Sequence, residues 1–433
     1  MNMKKKKSYN IAIVGLGNIG SYLFNFLNKN KTNLVNKNNA NFNISYVSAK
    51  NKNKKRKINI KKNQWVSNYN HIINKKDVDI IVELIGGAEG PAKKLVFGAL
   101  KNNKHVVTAN KALISKYGDK LSAIAEKNEV NLEYEAAVCG GVPVIRSIKE
   151  GLIANKIDRI YGIFNGTSNY VLSSMDSNKT SFNETINNAI NLGYAESNPS
   201  SDINGNDVAS KVKILSCLSF NSFINHNIHV EGIKDIDEED INNSNKLGYK
   251  IKLMGFSEVS NNKMFQRVHP TLVKKKSYIA GVDGVLNAII IEGKPIGKNI
   301  IQGDGAGPSA TTSALISDIS SILRGNIKFP FGISNIKRKK YSSGKIIDLY
   351  FSSYIRLNVK DKYGVLADVT KIFSNNKVSI KRILQSPYKN KKNSSIVIIT
   401  HRSKDNYIQK TLKTLAKKSY IIKKPKLLRI ENG

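Results

Sequence analysis

Asp207 and Lys211 stand four residues apart in a stretch where Val208, Val212, Leu215 and Ser219 recur at helical spacing. On one helix their side chains can meet. They would form either an exposed ion pair or an ammonium, oriented by a carboxylate, that passes a proton to an oxygen. Upstream, Tyr194, Glu196 and Asp202 lie among small and turn residues, with Glu184 further back. Lys111 follows the apolar run His105-Val-Val-Thr108. The carboxyl end of a strand in an open parallel sheet is where ligands bind, which sets Lys111 apart from the many other lysines. A third group of residues carries no reactive side chain. Gly15, Gly17 and Gly20, with Asn18 and Ile19 between them, make a G-x-G-x-x-G turn. Such a turn cradles a dinucleotide pyrophosphate when it joins a strand to a helix: the first glycine makes the bend, the second admits the phosphate, and the third lets helix and strand pack closely.

The elements around these residues fit that use. Residues 10–14 are an apolar strand before the glycine turn, and Ile19, Leu23, Phe26 and Leu27 follow at helical spacing. Residues 44–47, 78–85, 105–108 and 132–138 read as further strands, and Pro91 suits the first turn of a helix with Leu95, Val96, Ala99 and Leu100 on one face. The fold class predicted is α/β: a Rossmann-like dinucleotide-binding domain, an α+β substrate and dimerisation domain, and a C-terminal ferredoxin-like module. The first domain spans 1–140 and regains 303–325 through a second glycine-rich turn and helix. The second spans 141–302. Residues 326–347 are an irregular basic linker, and 348–433 run strand, helix, strand, strand, helix, strand. After the second strand, Ser48-Ala-Lys50 carries no carboxylate for a ribose 2′-OH. Lys50 either receives a 2′-phosphate or merely begins a lysine-rich surface loop, and NADP is favoured over NAD.

Lys and Arg number 70 against 32 Asp and Glu, a formal charge of +38. The lysines are scattered through every segment beside many asparagines, with the densest runs at 4–7 and 50–62. A nucleic-acid surface concentrates its charge and interleaves aromatics, so no nucleic-acid partner is expected. No apolar run is long enough to span a bilayer, and glycines interrupt the segment that would be a signal-peptide core. Two cysteines, Cys139 and Cys217, offer neither a disulfide framework nor metal-ligand spacing. A cytoplasmic protein without a membrane partner is expected.

The chain resembles the homoserine dehydrogenases from about residue 11 to 320. The matching stretches are Gly15-Leu-Gly-Asn-Ile-Gly20, Val82-Glu-Leu-Ile-Gly-Gly87, Val107-Thr-Ala-Asn-Lys-Ala-Leu113, Glu135-Ala-Ala-Val-Cys-Gly-Gly-Val-Pro143, Phe164-Asn-Gly-Thr-Ser-Asn-Tyr170, Leu192-Gly-Tyr-Ala-Glu196, Asp202-Ile-Asn-Gly205, Arg267-Val-His-Pro-Thr271 and Gly303-Asp-Gly-Ala-Gly307. The resemblance implies reversible reduction of L-aspartate 4-semialdehyde to L-homoserine with NAD(P)H, in a homodimer or homotetramer. It implies Lys211 as proton donor and Lys111 beside the nicotinamide. Glu196 would hold the substrate amino group, with Asp207, Asp202 and Tyr194 in the same pocket. Thr108 and Gly307 join the cofactor set. Glu135, Val138, Gly140 and Val142 match a monovalent-cation site, usually sodium, built largely from carbonyls; a structural salt bridge at Glu135 competes with that reading. Residues 354–368, 378–380 and 396–399 resemble an ACT domain, which implies feedback control by threonine. Tyr363 and Ala310 depart from the family, which usually has proline at both. A desolvated Lys211 beside a second cation is expected to have a lowered pKa. The alternative chemistry, a thiol aldehyde dehydrogenase using Cys139, would need a base beside the sulfur.

Overall fold

The computed structural model describes residues 6–388 and 392–431, so Lys4 and Lys5 of the first basic run lie outside the described residues. Strands β1 (Ser8–Val14), β2 (Asn41–Ser48), β3 (Ile80–Glu83), β4 (His105–Thr108) and β5 (Leu132–Glu133) form a sheet in the order β2-β1-β3-β4-β5. All four pairings are parallel. Ile11, Ala12, Ile13, Ile80, Ile81 and Val82 are fully buried, as strands covered on both faces require. The register aligns Ser48, Val14, Glu83 and Thr108 along the carboxyl edge. Strand order reverses between β1 and β3, and the crevice outside such a reversal is the ligand site of open α/β sheets. Pro91 opens the helix Pro91–Lys101, whose Leu95, Val96, Ala99 and Leu100 are all buried. The late helix Pro308–Leu323 returns to this unit, its Leu315, Ile319 and Ile322 sharing a core with Leu23, Phe24 and Leu27.

The remaining strands are β6 (Lys156–Ile163), β7 (His229–Val230), β8 (Tyr249–Ser260), β9 (Lys263–Lys274), β10 (Leu286–Lys294), β11 (Gly297–Asp304), β12 (Ser342–Ser343), β13 (Tyr350–Lys360), β14 (Ile380–Pro387), β15 (Asn393–Thr400), β16 (Ser403–Lys404) and β17 (Lys426–Glu431). They make one sheet in the order β11-β10-β6-β8-β9-β17-β13-β15-β14, with the three short strands at its margins. Helices Gly166–Asn178 and Asn206–Ser219 pack on its middle strands. Its last four strands, with helices Val365–Asn375 and Asp405–Leu415, are the βαββαβ unit read from the sequence. That unit is fused to the middle sheet by parallel pairing of β17 with β9, Arg429 opposite Thr271.

Two expectations are corrected and a third is refined. The strand at 132–138 stops at Glu133, because the next residues form a 3-10 turn, Glu135–Ala137, whose Glu135 N–H donates to Asp318 instead of to a neighbouring strand. The helix Asn18–Lys29 buries Phe24 rather than Phe26, which lies toward solvent. The basic segment 326–347, read as an irregular linker, is irregular but packed in place. Phe331 is fully buried, the Pro330 carbonyl accepts from the Tyr134 hydroxyl at 2.7 Å, and Arg338 donates to Asp119 at 2.6 Å.

Polar anchors tie the C-terminal unit down. Arg356 on β13 meets Asp237 and Glu239 at 2.6 Å each and Asp240 at 2.8 Å. Asp240 is fully buried, so losing its guanidinium partner leaves a desolvated carboxylate and costs about 3–5 kcal/mol. Thermal and urea unfolding of Arg356→Met should therefore show a large drop in stability. Lys298→Met, at an exposed pair with Glu292, should stay within about 0.5 kcal/mol of wild type. Equal effects would contradict this assignment of the anchor.

Candidate active site

Asp207 lies in the first turn of the helix Asn206–Ser219, and Lys211 follows one turn later, both buried. Lys211 Nζ is 2.8 Å from Asp207 Oδ2, and Lys111 Nζ is 2.8 Å from Asp207 Oδ1. Lys111 begins the helix Lys111–Lys127 directly after β4, where the Asn110 side chain caps the helix by accepting from the Leu113 N–H. One carboxylate thus joins lysines from the two halves of the molecule. Lys211 also donates to the Phe164 carbonyl at 2.5 Å. With two of three N–H groups spent, one remains for the cleft.

Burial pulls the Lys211 ammonium toward neutrality, but Asp207 outweighs it, and its pKa lies above the usual lysine value. The expected lowering is wrong because the carboxylate was left out of that balance. Burial works against ionisation of Asp207 too, yet the two lysines hold it well below the ordinary carboxylate range. Asp202 moves the other way, raised by desolvation and by Asp207.

A cleft of about 560 Å³ is lined by Ile19, Lys111, Tyr194, Glu196, Asp202, Asp207, Lys211, Gly140 and Gly307 among others. The substrate residues proposed from the sequence are therefore brought together. Glu196 and Tyr194 are exposed at its rim; the Tyr194 carbonyl accepts from Thr167 at 2.6 Å and its ring tilts against Tyr170. Glu184 does not join them: it sits exposed in the first turn of the helix Phe182–Asn191. Thr108 is buried behind the cleft, its hydroxyl donating to Glu83 at 2.6 Å. Glu83 also accepts from the N–H groups of Ile85 and Gly86 at 2.8 and 2.9 Å. Sequence reasoning missed Glu83, although a carboxylate inside a buried strand was itself a signal. It also gave no role to Asn165, whose amide donates to Asp202 at 2.7 Å and to Asp207 at 2.8 Å.

The glycine turn fits a dinucleotide. Gly15 has φ +107°, and a Cβ there would lie 2.4 Å from the Leu84 carbonyl; a Cβ on Gly20 would lie 2.0 Å from the Gly15 oxygen. At Gly17 a Cβ would meet nothing within 4 Å. The protein's own packing does not demand glycine there; a phosphate approaching the open N-terminus of the helix Asn18–Lys29 would. Ile19 and Gly307 reach the cleft, whereas Lys50 is exposed in the loop beyond β2 and makes no described contact there.

The cation residues have structural duties as well. Glu135 accepts from the backbone N–H groups of Ile145 and Arg146 at 2.9 and 2.7 Å, not from a salt-bridge partner, and burial raises its pKa to about 7. A Cβ at Gly140 would lie 2.6 Å from the Gly305 oxygen, so close backbone crossing already calls for glycine. Val138 and Val142 are buried, the Val142 carbonyl already accepting from the Val144 N–H at 2.8 Å, and among the described residues no group of three or more His, Cys, Asp or Glu is placed to hold a metal. This oxygen set, with free lone pairs on Glu135, suits a hard monovalent ion. Cys139 also lines the cleft, but burial pushes its thiol up to about 11, which argues against a nucleophilic role.

Residues 15–135 match the NAD-binding domain of homoserine dehydrogenases, 143–320 match the homoserine dehydrogenase domain, and 355–423 match an ACT domain like that of the AHAS small subunit. The homoserine dehydrogenase of Neisseria gonorrhoeae is 34% identical, over 98% of this chain and 99% of its own length. The chain belongs to the homoserine dehydrogenase family. It is accordingly an NAD(P)-dependent oxidoreductase with an ACT-like C-terminal domain. The Helicobacter pylori enzyme is likewise 34% identical over 99% of this chain and 100% of its own. Among solved structures, the homoserine dehydrogenase of Thiobacillus denitrificans superposes with a TM-score of 0.91 at 32% identity, covering 99% of both chains. That of Staphylococcus aureus gives 0.78 at 32% identity, over 99% of this chain and 100% of that one.

The two glycines separate folding from binding. Gly17→Ala should leave the melting temperature unchanged and weaken cofactor binding, read by nucleotide fluorescence titration. Gly20→Ala should destabilise the fold by about 1–3 kcal/mol through the forced backbone shift. Unchanged cofactor affinity in Gly17→Ala would remove the cradle.

Proposed function

We propose that the chain interconverts L-homoserine and L-aspartate 4-semialdehyde, with NADP(H) preferred over NAD(H). The observation that carries this reading is one buried carboxylate, Asp207, shared by Lys111 and Lys211 in a cleft that Ile19 of the glycine turn also lines. The nicotinamide, when bound, supplies or accepts the hydride. Lys211 keeps one N–H for the substrate oxygen and passes a proton to the alkoxide during aldehyde reduction. In the other direction it must first be neutral to take the hydroxyl proton. Lys111, half-exposed and free on two N–H groups, stabilises the charge developing on that oxygen. Glu196, Asp202 and Tyr194 line the side of the cleft that would hold the amino group, orienting the substrate by its far end.

Support for NADP comes from the loop after β2. Ser48 is buried and gives its carbonyl to Gly15 N–H, while Lys50, Lys52, Lys54 and Arg56 follow without a carboxylate. Arg56 pins this basic loop to the glycine turn by donating to the Leu16 carbonyl at 3.0 Å. Glu135 with the carbonyls of Val138, Gly140 and Val142 is proposed to hold sodium, which would brace the floor of the cleft. Threonine is the proposed effector. A depression of about 360 Å³ beside Lys362, Tyr363, Gly364, Asp368 and Tyr420 lies at the ACT turn, where Gly364 has φ +81° and Tyr363 is fully exposed. A homodimer or homotetramer in the cytoplasm, serving amino-acid biosynthesis, completes the proposal. No described helix is long and apolar enough to cross a membrane.

Nicotinamide absorbance with L-homoserine should show turnover faster with NADP⁺ than with NAD⁺, stimulated by sodium at constant ionic strength and inhibited by threonine. Absence of turnover with either cofactor would overturn the proposed reaction. Lys211→Ala should lower kcat by roughly 10²–10⁴ with the NADPH dissociation constant unchanged. Because Lys211 is raised in pKa, homoserine oxidation should climb with pH well into the alkaline range. Asp207→Asn leaves Lys211 desolvated beside Lys111, so that limb should move to lower pH on a slower reaction. A limb unmoved in Asp207→Asn would show that Lys211 is not the titrating base.

A further inference from the structure

Three polar contacts of the cluster converge on two consecutive residues that carry no charge. The Phe164 carbonyl accepts from Lys211, and the Asn165 amide nitrogen gives one hydrogen to Asp202 and the other to Asp207, at 2.7 and 2.8 Å. The amide cannot turn over, because its oxygen accepts from the Ser168 N–H at 2.8 Å and so caps the helix Gly166–Asn178. Asn165 is itself buried. Serine, threonine or aspartate caps a helix as well as asparagine does, but none offers two N–H donors on the far side. The cap alone therefore does not account for asparagine here.

We propose that Asn165 is a positioning residue that fixes the spacing of Asp202 and Asp207 and, through Asp202, selects an α-amino group on the substrate. Two neighbouring carboxylates repel each other; a doubly donating amide between them offsets that and sets their separation. Asp207 is saturated by Lys111, Lys211 and Asn165. Among the described residues Asp202 receives only Asn165, at Oδ1, and it lines the cleft with its second oxygen unclaimed by any of them. An ammonium in the cleft is the natural donor to that oxygen. The charged groups around it are Asp207, Lys211 and Lys111, with Glu196 at the rim.

This inference rests on the proposed homoserine reaction, so wild type is assayed beside the variants. Asn165→Ser and Asn165→Asp both keep the helix cap and lose the donors. Each should raise KM for L-homoserine about 10-fold or more, with the NADP⁺ dissociation constant near wild type; the neutral Asn165→Ser should melt close to wild type, whereas the third buried carboxylate of Asn165→Asp should lower the melting temperature. Preference for homoserine over 4-hydroxybutanoate, which lacks the amino group, should narrow in both. In Asn165→Asp a third carboxylate raises the proton affinity of Asp202, which must be ionised to hold the ammonium. The acid limb of kcat/KM should therefore move to higher pH. Wild-type KM and selectivity in Asn165→Ser would overturn the inference, as would a rise in KM in Asn165→Ser that merely tracks a fall in its melting temperature. A wild-type enzyme without homoserine turnover would overturn the reaction, and this inference with it.

Discussion

Everything in the site is arranged around one buried negative charge. Asp207 is taken out of water at the start of a helix, and a carboxylate so placed survives ionised only if its oxygens are fully matched. Two ammonium groups and an amide provide that match. The requirement works back through the fold. Lys111 must come from the end of β4, Lys211 from the next turn of the same helix, and Asn165 from the segment after β6. The dinucleotide-binding sheet and the second sheet are thereby set against each other at a place where neither could balance the charge alone.

The same charge decides what the lysines can do. Burial by itself would weaken the hold of Lys211 on its proton; Asp207 reverses the sign and keeps it loaded. The result is an ammonium group held protonated against the cleft. The geometry also separates duties. Lys211 is enclosed, with one N–H left over, whereas Lys111 is half-exposed and touches the same carboxylate from the side of the first sheet.

Much of this was legible in the sequence because it is encoded at short range. The Asp207–Lys211 spacing, Pro91 at a helix start and the strand–glycine–helix order are local facts, and periodicity exposes them. The terminal βαββαβ order was legible for the same reason. Long-range partners were not. Nothing in the run around Asn165 says which carboxylates its amide will meet, and a basic stretch at 326–347 gives no hint that Phe331 and Arg338 are buried. The strand read at 132–138 was apolar enough to continue, but Asp318, almost two hundred residues away, captures the Glu135 N–H and turns the chain. The Lys211 error had a different source: burial was weighed without the carboxylate that makes burial tolerable.

The C-terminal unit shows how far this reasoning extends from the cleft. Arg429 on β17 is buried between Asp405 of its own unit, at 2.9 Å, and Glu231, the residue after β7, at 2.9–3.0 Å. Two residues on, the Ile233 N–H donates to the Ile203 carbonyl at 2.9 Å, and Gly232 lies so close to that carbonyl that a Cβ would stand 2.4 Å from it. Ile203 is the residue after Asp202. The path from the ACT-like unit to the Asp202 segment is thus two ion pairs and one backbone hydrogen bond. Glycine at 232 is what lets the segment approach so closely. A chain that simply appended a further module would need only a tether, whereas here β17 is hydrogen-bonded to β9 of the middle sheet. The module's placement and the position of Asp202 are therefore parts of one packed body.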